Sequence, residues 1–404
     1  MPRFSRRSQA VVHLGSESET RASEGKATRV LLICDFGPGL LRHVLETYAF
    51  MSDTRVTLVR RRMRRVALPA GVRLVTVPVP VIGASDWGEV SKSLPLLLNT
   101  ASYLLLGSLL STLAAFRFRC GVVHARFLFP EGIVGLVVSA LSGAKLVATA
   151  EGFDVNLHLR NRLARAALAM IARRGEIISV SKPIFEQLSS FGVTSRYLPN
   201  GLDTSRFKFV RLDKKESLVI FVGMLEENKR PQLLVEAVSR IRPFIAQEGI
   251  KVRIIGEGPL RDTIKRRIDE LGLEDCISLE GFLGTESIVD FMAKAYAYVS
   301  CSATEGLSLA MLEAMASGPV VVATDIPATR ALITNTETGF TFPPDDADGL
   351  AQAIKFVFEH SSETSGVTAR ARKLVESTYE VRNGASELSR IYAGSGPANG
   401  VGLL

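Results

Sequence analysis

Two carboxylates, Glu305 and Glu313, stand in a stretch where almost everything else is apolar or small, Tyr298 to Ala323, YVSCSATEGLSLAMLEAMASGPVVVA. It reads as strand, loop and helix: an apolar run Tyr298 to Ser300, small and polar residues to Glu305 and Gly306, then an apolar-rich helix. Gly318 and Pro319 stop the helix, because glycine accepts the left-handed cap conformation and proline cannot extend the ladder; Val320 to Ala323 is the next strand. If both glutamates ride on the helix, their spacing separates them by about 12 Å along its axis and leaves them within about a quarter turn of each other. One extended polar ligand could then touch both. Between them, the amides of Gly306, Leu307 and Ser308 are expected at the helix N-terminus, where unpaired donors and the positive end of the dipole favour a phosphate. Sugar, diphosphate and ribose, in that order, fit this length and polarity.

The pattern E-G-x-S-x-x-x-x-E-A-M-A-x-G-P-V, Glu305 to Val320, resembles the signature of the family 4 retaining glycosyltransferases. The resemblance covers roughly residues 28 to 393 and is strongest in the second half. It implies the α/β GT-B fold, two Rossmann-like doubly wound domains facing across a cleft, and transfer of a sugar from a nucleotide diphosphate donor to an acceptor with retention of configuration. It also implies that Glu305 holds the sugar hydroxyls, Glu313 the ribose, and the amides of Gly306, Leu307 and Ser308 the diphosphate. Gly223-Met224-Leu225 with Lys229 is similar to the family's G-R-L-x-x-x-K, which assigns Lys229 to the diphosphate; Met224 replaces the arginine, and Arg230 follows. Gly256 to Leu260 resembles the G-x-G-P turn, and Leu283 lies in the loop where relatives hold the base through backbone groups. Asp325 to Arg330 departs from the usual G-G-x-x-E, with Arg330 at the glutamate position.

In the first half, Glu151-Gly152-Phe153-Asp154 stands where family members have His-Gly-x-Asp. Gly152 and Asp154 match, which places Glu151 and Asp154 among the expected catalytic residues; a glutamate can accept a hydrogen bond from a sugar hydroxyl. Gly37 and Gly39 follow the first strand and either serve a tight turn of their own or let the backbone approach the donor diphosphate. Retention by double displacement needs a carboxylate nucleophile beneath the anomeric carbon. No residue is identifiable as one, and front-face departure and attack is what the resemblance implies. No metal and no cofactor are expected beyond the nucleotide sugar itself. The alternative, favoured by Met224, Glu151 and Arg330, is a GT-B-like nucleotide-sugar binding or regulatory protein without turnover.

The elements that must position these residues are apolar runs bounded by glycine and proline. Val30 to Cys34, Thr57 to Val59, Gly121 to Ala125, Leu146 to Ala150 and Ile177 to Val180 read as strands of a first domain. Ser217 to Val222, Val252 to Ile255, Ile277 to Phe282, Tyr298 to Ser300 and Val320 to Ala323 read as strands of a second. A chain of 404 residues exceeds what one core supports. The expected division is a mobile tail at 1–28, an acceptor-side domain at 29–198, a donor domain at 199–375, and at 376–404 a helix crossing back to the first domain with a tail. Leu198 to Asp203 resembles the family's P-N-G-x-D turn at the crossing.

Charge separates the halves. Residues 1–200 carry 26 Lys and Arg against 13 Asp and Glu, a balance of +13, whereas the remainder carries 23 against 28, or −5. A basic first half suggests an anionic partner there: a membrane surface, a lipid phosphate or an acidic glycan. Nucleic acid is disfavoured, because the basic residues lack interleaved aromatic platforms. Candidates for the surface are the run Arg60, Arg61, Arg62, Arg64 and Arg65, which equally reads as a solvated face, and the basic amphipathic helix expected from Leu157 to Arg174. Leu94 to Phe116 is the most apolar segment; polar interruptions favour a helix buried in the first domain or dipping into the membrane interface over a true span. Ala10 to Val12 is too short for a signal-peptide core, so Arg6 and Arg7 have no export context. Cys34, Cys120, Cys276 and Cys301 show no C-x-x-C spacing and read as reduced structural thiols. These readings imply a cytoplasmic protein, peripheral on the inner face of the cell membrane, whose acceptor is a glycan or lipid-linked sugar of envelope or exopolysaccharide assembly.

Overall fold

The computed structural model describes residues 27–36, 38–62, 68, 71–80, 94–156 and 161–394. Residues 1–26 of the expected tail, Gly37, Arg64, Arg65 and Arg160 therefore lie outside the described residues, as does the side chain of Arg62, while Thr28 already belongs to the first strand. The first sheet has seven parallel strands: β1 (Thr28–Ile33), β2 (Thr54–Arg62), β3 (Arg73–Pro80), β4 (Val122–Arg126), β5 (Lys145–Ala150), β6 (Gly175–Ser179) and β7 (Arg196–Tyr197). Their order is β3-β2-β1-β4-β5-β6-β7. The second has six, β8 (Glu216–Val222), β9 (Lys251–Ile255), β10 (Ile277–Gly281), β11 (Ala295–Ser300), β12 (Val320–Thr324) and β13 (Phe340–Phe342), ordered β10-β9-β8-β11-β12-β13. Both are doubly wound, and each reverses direction once, between β1 and β4 and between β8 and β11. Loops that leave the carboxyl ends of strands at such reversals diverge and open a crevice, the usual ligand position in α/β sheets.

Continuous apolar runs make this possible. Leu31 and Ile33 on one face of β1 and Val30 and Leu32 on the other enter separate clusters, so the strand is covered by helices on both sides. The second domain is built in the same way around Val219 and Ile220 of β8. The chain crosses between domains twice, and the crossings are tied together: Leu202 N–H donates to Tyr379 O at 2.7 Å and Val381 N–H to Leu202 O at 3.0 Å. Gly201 is needed here, because a Cβ would lie 2.5 Å from Val381 Cα. Helix Ser361–Thr378 packs into the second domain through Ala371 and Val375. Helix Val381–Ala393 returns to the first through Ala385, Leu388, Ile391 and Tyr392.

Two expectations for the first domain change. Arg60 and Arg61 are buried on β2 and are no solvated face: Arg61 Nε donates to Asp35 Oδ2 at 2.5 Å, and its backbone N–H to Asp35 Oδ1 at 2.7 Å. The Arg61 guanidinium also lies 3.6 Å from Glu131 and 4.4 Å from the centre of the Tyr103 ring. The apolar segment forms helix Leu94–Arg117, which covers β3 and leaves much of its leucine-rich side on the surface. The basic amphipathic helix begins at Arg162, capped by Asn161 Oδ1 accepting from Leu163 N–H at 2.8 Å.

Candidate functional site

The loops leaving β8 and β11 bring Lys229 and Glu305 together, 76 positions apart in the chain. The lysine ammonium pairs with Glu305 Oε1, which also accepts from Ser302 Oγ at 2.7 Å. Asn228 fastens the two loops: its carbonyl accepts from Ala303 N–H at 2.8 Å, its Nδ2 donates to Thr304 O at 3.0 Å, and its Oδ1 accepts from Thr304 N–H at 3.2 Å. This residue was not singled out from the sequence, although it precedes Lys229 in the recognised stretch. Glu305 is not on the helix as expected. The helix runs Leu309–Ser317 with Ser308 as its N-cap, so Gly306 to Ser308 form the approach to it and the on-helix spacing of the two glutamates does not apply.

Glu313 is on that helix and buried. Its Oε1 meets His43 Nε2 at 2.9 Å, across the cleft, on helix Pro38–Ala49 of the first domain. The other imidazole nitrogen lies 3.6 Å from Glu46. His43 was missed by sequence reasoning; its only signal is a polar ring in an apolar helix directly after the first glycine loop, a pattern that most often marks an ordinary core histidine. Gly39 sits in the first turn of the same helix.

Gly306 is where the domains touch. A Cβ there would fall 1.7 Å from Glu151 O, and one on Gly152, whose φ is +116°, would fall 2.5 Å from Gly306 Cα. Both positions require glycine for close backbone approach. Leu307 continues the contact by packing against core clusters of both domains. Gly256 has a similar reason inside the second domain: a Cβ there, at φ +145°, would meet Gly223 O at 1.8 Å, and Gly223 N–H donates to Ile255 O at 3.0 Å; a Cβ on Gly223 itself would meet nothing nearer than the Phe221 ring at 3.5 Å. Gly256 thus lets the loops after β8 and β9 lie side by side.

Leu283 is half-buried in the loop after β10. Beside that loop, an interdomain crevice of about 450 Å³ is bounded by Arg42 and Glu46 on the first-domain helix and by Arg206, Gly284, Thr285 and Glu286. Arg42 and Glu46 flank His43 on the same helix, which places the crevice beside the His43–Glu313 contact.

Glu151 and Asp154, in the loop after β5, are each held by several partners. Glu151 is clasped by the Arg126 guanidinium and accepts from Asn200 Nδ2 at 3.1 Å, and its side chain is 5% exposed. Burial raises its pKa, opposed by Arg126 and Asn200. Asp154 Oδ1 accepts from the backbone N–H groups of Glu151, Gly152 and Val155, and Oδ2 from Leu128 N–H at 2.7 Å. Burial raises its pKa to about 6 against the pull of those amides. Asp154 thus binds the amides of its own loop, and Glu151 ties that loop to Arg126 and Asn200. Around the second-domain site, Met224 is exposed, Arg230 turns to Asp345 at 2.8 Å, and Arg330 folds onto its own neighbour Asp325 at 2.7 Å. Both arginines are thus engaged with carboxylates of their own.

The family described as glycosyl transferases group 1 matches residues 203–374, and glycosyltransferase family 4 matches residues 39–206. Phosphatidyl-myo-inositol mannosyltransferase of Mycolicibacterium smegmatis is 26% identical over 51% of this chain and 53% of its own. The Campylobacter jejuni N-acetylgalactosamine-N,N'-diacetylbacillosaminyl-diphospho-undecaprenol 4-alpha-N-acetylgalactosaminyltransferase is 31% identical over 36% of this chain and 38% of its own. The chain thus spans about half the length or less of these two relatives. In architecture it is similar to Anabaena HepE, solved in complex with UDP-glucose, with a TM-score of 0.70 at 18% identity over 91% of this chain and 99% of that one.

Proposed function

The chain belongs to the group 1, family 4 glycosyltransferases and has their GT-B fold, and on that footing we propose that it transfers a hexosyl group from a nucleotide diphosphate sugar to an acceptor hydroxyl with retention of configuration. The observation that carries this is the pair Lys229 and Glu305, brought together by the loops after β8 and β11 at the second-domain reversal point. An incoming diphosphate competes for Lys229 and releases Glu305 to accept hydrogen bonds from the sugar hydroxyls. The amides of Gly306 and Leu307 lead into the helix beginning at Leu309, and its positive end supports the same anion. The nucleoside end lies along Glu313 and the crevice beside Leu283.

In the reaction the anomeric C–O bond to the diphosphate breaks while the acceptor oxygen bonds to the same carbon from the same face. The acceptor proton passes to the departing phosphate oxygen. Lys229 and the loop amides stabilise the charge that develops on the leaving group, a form of electrostatic preorganisation. On this reading the positive charge for the diphosphate is supplied by the protein, without a metal or cofactor.

The acceptor is read as a glycan or lipid-linked sugar, handled at the inner face of the cell membrane. Support comes from the +13 balance of residues 1–200. The names of the mannosyl- and N-acetylgalactosaminyltransferase relatives point the same way, one to a phospholipid and one to an undecaprenol diphosphate. The test is incubation with a panel of nucleotide sugars, with and without a lipid extract, scored for nucleoside diphosphate release. Release with at least one donor, stimulated by the extract, is expected. Donor binding without release would leave the non-catalytic binding protein as the better reading.

A further inference from the structure

Helix Leu94–Arg117 is apolar on both sides, with Ala114, Ala115, Leu104 and Leu110 packed into the core. Its outward side carries Leu98, Leu105, Leu109, Leu113 and Phe116, each between 55% and 72% exposed. Its inward side carries Thr100, Tyr103, Ser111 and Thr112, all buried. The hydroxyls of Tyr103, Ser111 and Thr112 have no hydrogen-bond partner among the described residues. A surface helix ordinarily turns its hydroxyls to solvent and its leucines to the core. Here the exposed residues recur at intervals of seven, four, four and three, so they form one ridge, about 27 Å long at 1.5 Å per residue. A contiguous apolar ridge of this length marks an interaction surface.

The flanks say what it meets. Helix 94–117 packs against helix Glu131–Ser142, which packs against helix Arg162–Arg174, so the three form one layer on the first sheet. The other two helices of that layer expose Leu141, Leu163 and Met170. Also exposed are Arg117, Arg119, Arg162, Arg165 and Arg173. The three helices carry one carboxylate in all, Glu131, and it is buried. Apolar side chains that these three helices flank with exposed arginines and no exposed carboxylate suit the headgroup boundary of an anionic leaflet. A second copy using the same face would bring its arginines against these and be repelled. The helix cannot span the bilayer in this fold, because Tyr103, Ala114 and Ala115 are locked into the core and the chain enters β4 within five residues of Arg117.

We propose that the face made by helices 94–117, 131–142 and 162–174 docks the chain on an anionic lipid leaflet, the leucine ridge inserting shallowly and the arginines pairing with lipid phosphates. This assigns the membrane contact to a surface other than the buried Arg60 and Arg61. For its purpose it rests on the lipid-linked acceptor reading, but its evidence is independent of that reading.

The test is co-sedimentation of the full chain with vesicles of phosphatidylcholine alone and of phosphatidylcholine with phosphatidylglycerol, at low and high salt, without any nucleotide sugar. Binding is expected to need phosphatidylglycerol and to weaken with salt. The triple variant Leu105→Gln, Leu109→Gln, Leu113→Gln should lose more than tenfold in partitioning, and Arg162→Gln or Arg165→Gln about fivefold each. These side chains are exposed, so the melting temperature and donor turnover on a water-soluble acceptor should be unchanged in all of them. Equal binding to neutral vesicles, or unaltered binding by the triple variant, would overturn the proposal. So would an absence of vesicle binding together with a concentration-dependent dimer that the triple variant abolishes, which would make a second copy the occupant. If vesicles are bound as predicted but no nucleotide sugar is turned over, the docking face stands and only the functional reading fails.

Discussion

Glu305 beside Lys229 and Glu151 beside Arg126 are the same chemical pair in two settings. The first joins loops of the second-domain reversal point and keeps access to the cleft, with side chains 12% and 25% exposed. The second lies in the first domain with side chains 5% and 7% exposed, locked further by Asn200. A cation that can exchange a carboxylate for an incoming anion is equipment for binding. One sunk beyond reach of a ligand holds the frame. On the proposed reading, what each carboxylate already holds, and not its position in a recognised motif, sets its role.

The largest expected effect separates the pairs by stability. Arg126→Ala leaves Glu151 buried without its cation, and breaking such a pair costs about 3 to 5 kcal/mol. The melting temperature should fall by many degrees while donor affinity of the folded fraction is retained, as calorimetry and thermal unfolding would show. Lys229→Ala should do the reverse. Turnover should drop about a hundred- to a thousandfold, the range for losing one preorganised donor to a developing anion, with unfolding nearly unchanged. Should Lys229→Ala melt early and Arg126→Ala stay stable but inactive, the comparison is inverted and the assignment of roles is wrong.

A smaller effect sharpens the second-domain half. Met224 is exposed, and Arg230 is engaged with Asp345. Met224→Arg should therefore tighten nucleoside diphosphate binding about tenfold, which is about 1.4 kcal/mol, by adding a charge-assisted contact. Titration calorimetry showing no gain would mean that the loop points elsewhere. The smallest effect concerns the contact across the cleft. His43→Ala removes the first-domain partner of Glu313, and nucleoside affinity should change by only a few fold while the chemical step, followed in single turnover, keeps its rate. A large loss in single turnover would move His43 into the reacting centre.

Much of the fold was legible because both sheets are parallel and covered on two sides, so their strands are uninterrupted apolar runs such as Val30 to Ile33 and Val320 to Ala323. The glycines at 152, 223, 256 and 306 were legible as positions but not as reasons. At 152, 256 and 306 the reason is a backbone neighbour distant in the chain: Gly306, Gly223 and Glu151 respectively. Arg60 and Arg61 were misread for a related cause. Their run looks solvated until β3 and helix 94–117 close over β2, and the partners Asp35 and Glu131 are distant in sequence. Glu305 was placed on the helix because the pattern is continuous through it, whereas Ser308 caps the helix only afterwards. His43 had no local signal that distinguishes a cleft-crossing ring from a core one.

The most direct test sets two isosteric changes side by side, Glu305→Gln and Glu151→Gln, each measured for nucleoside diphosphate release and for thermal unfolding. Glu305→Gln should lose more than tenfold in turnover with an unchanged melting temperature, because shape is kept and only a charged acceptor is lost. Glu151→Gln should melt earlier and turn over normally when folded. If Glu151→Gln abolishes turnover and Glu305→Gln leaves it intact, the second-domain pair is not the donor site and the account is contradicted.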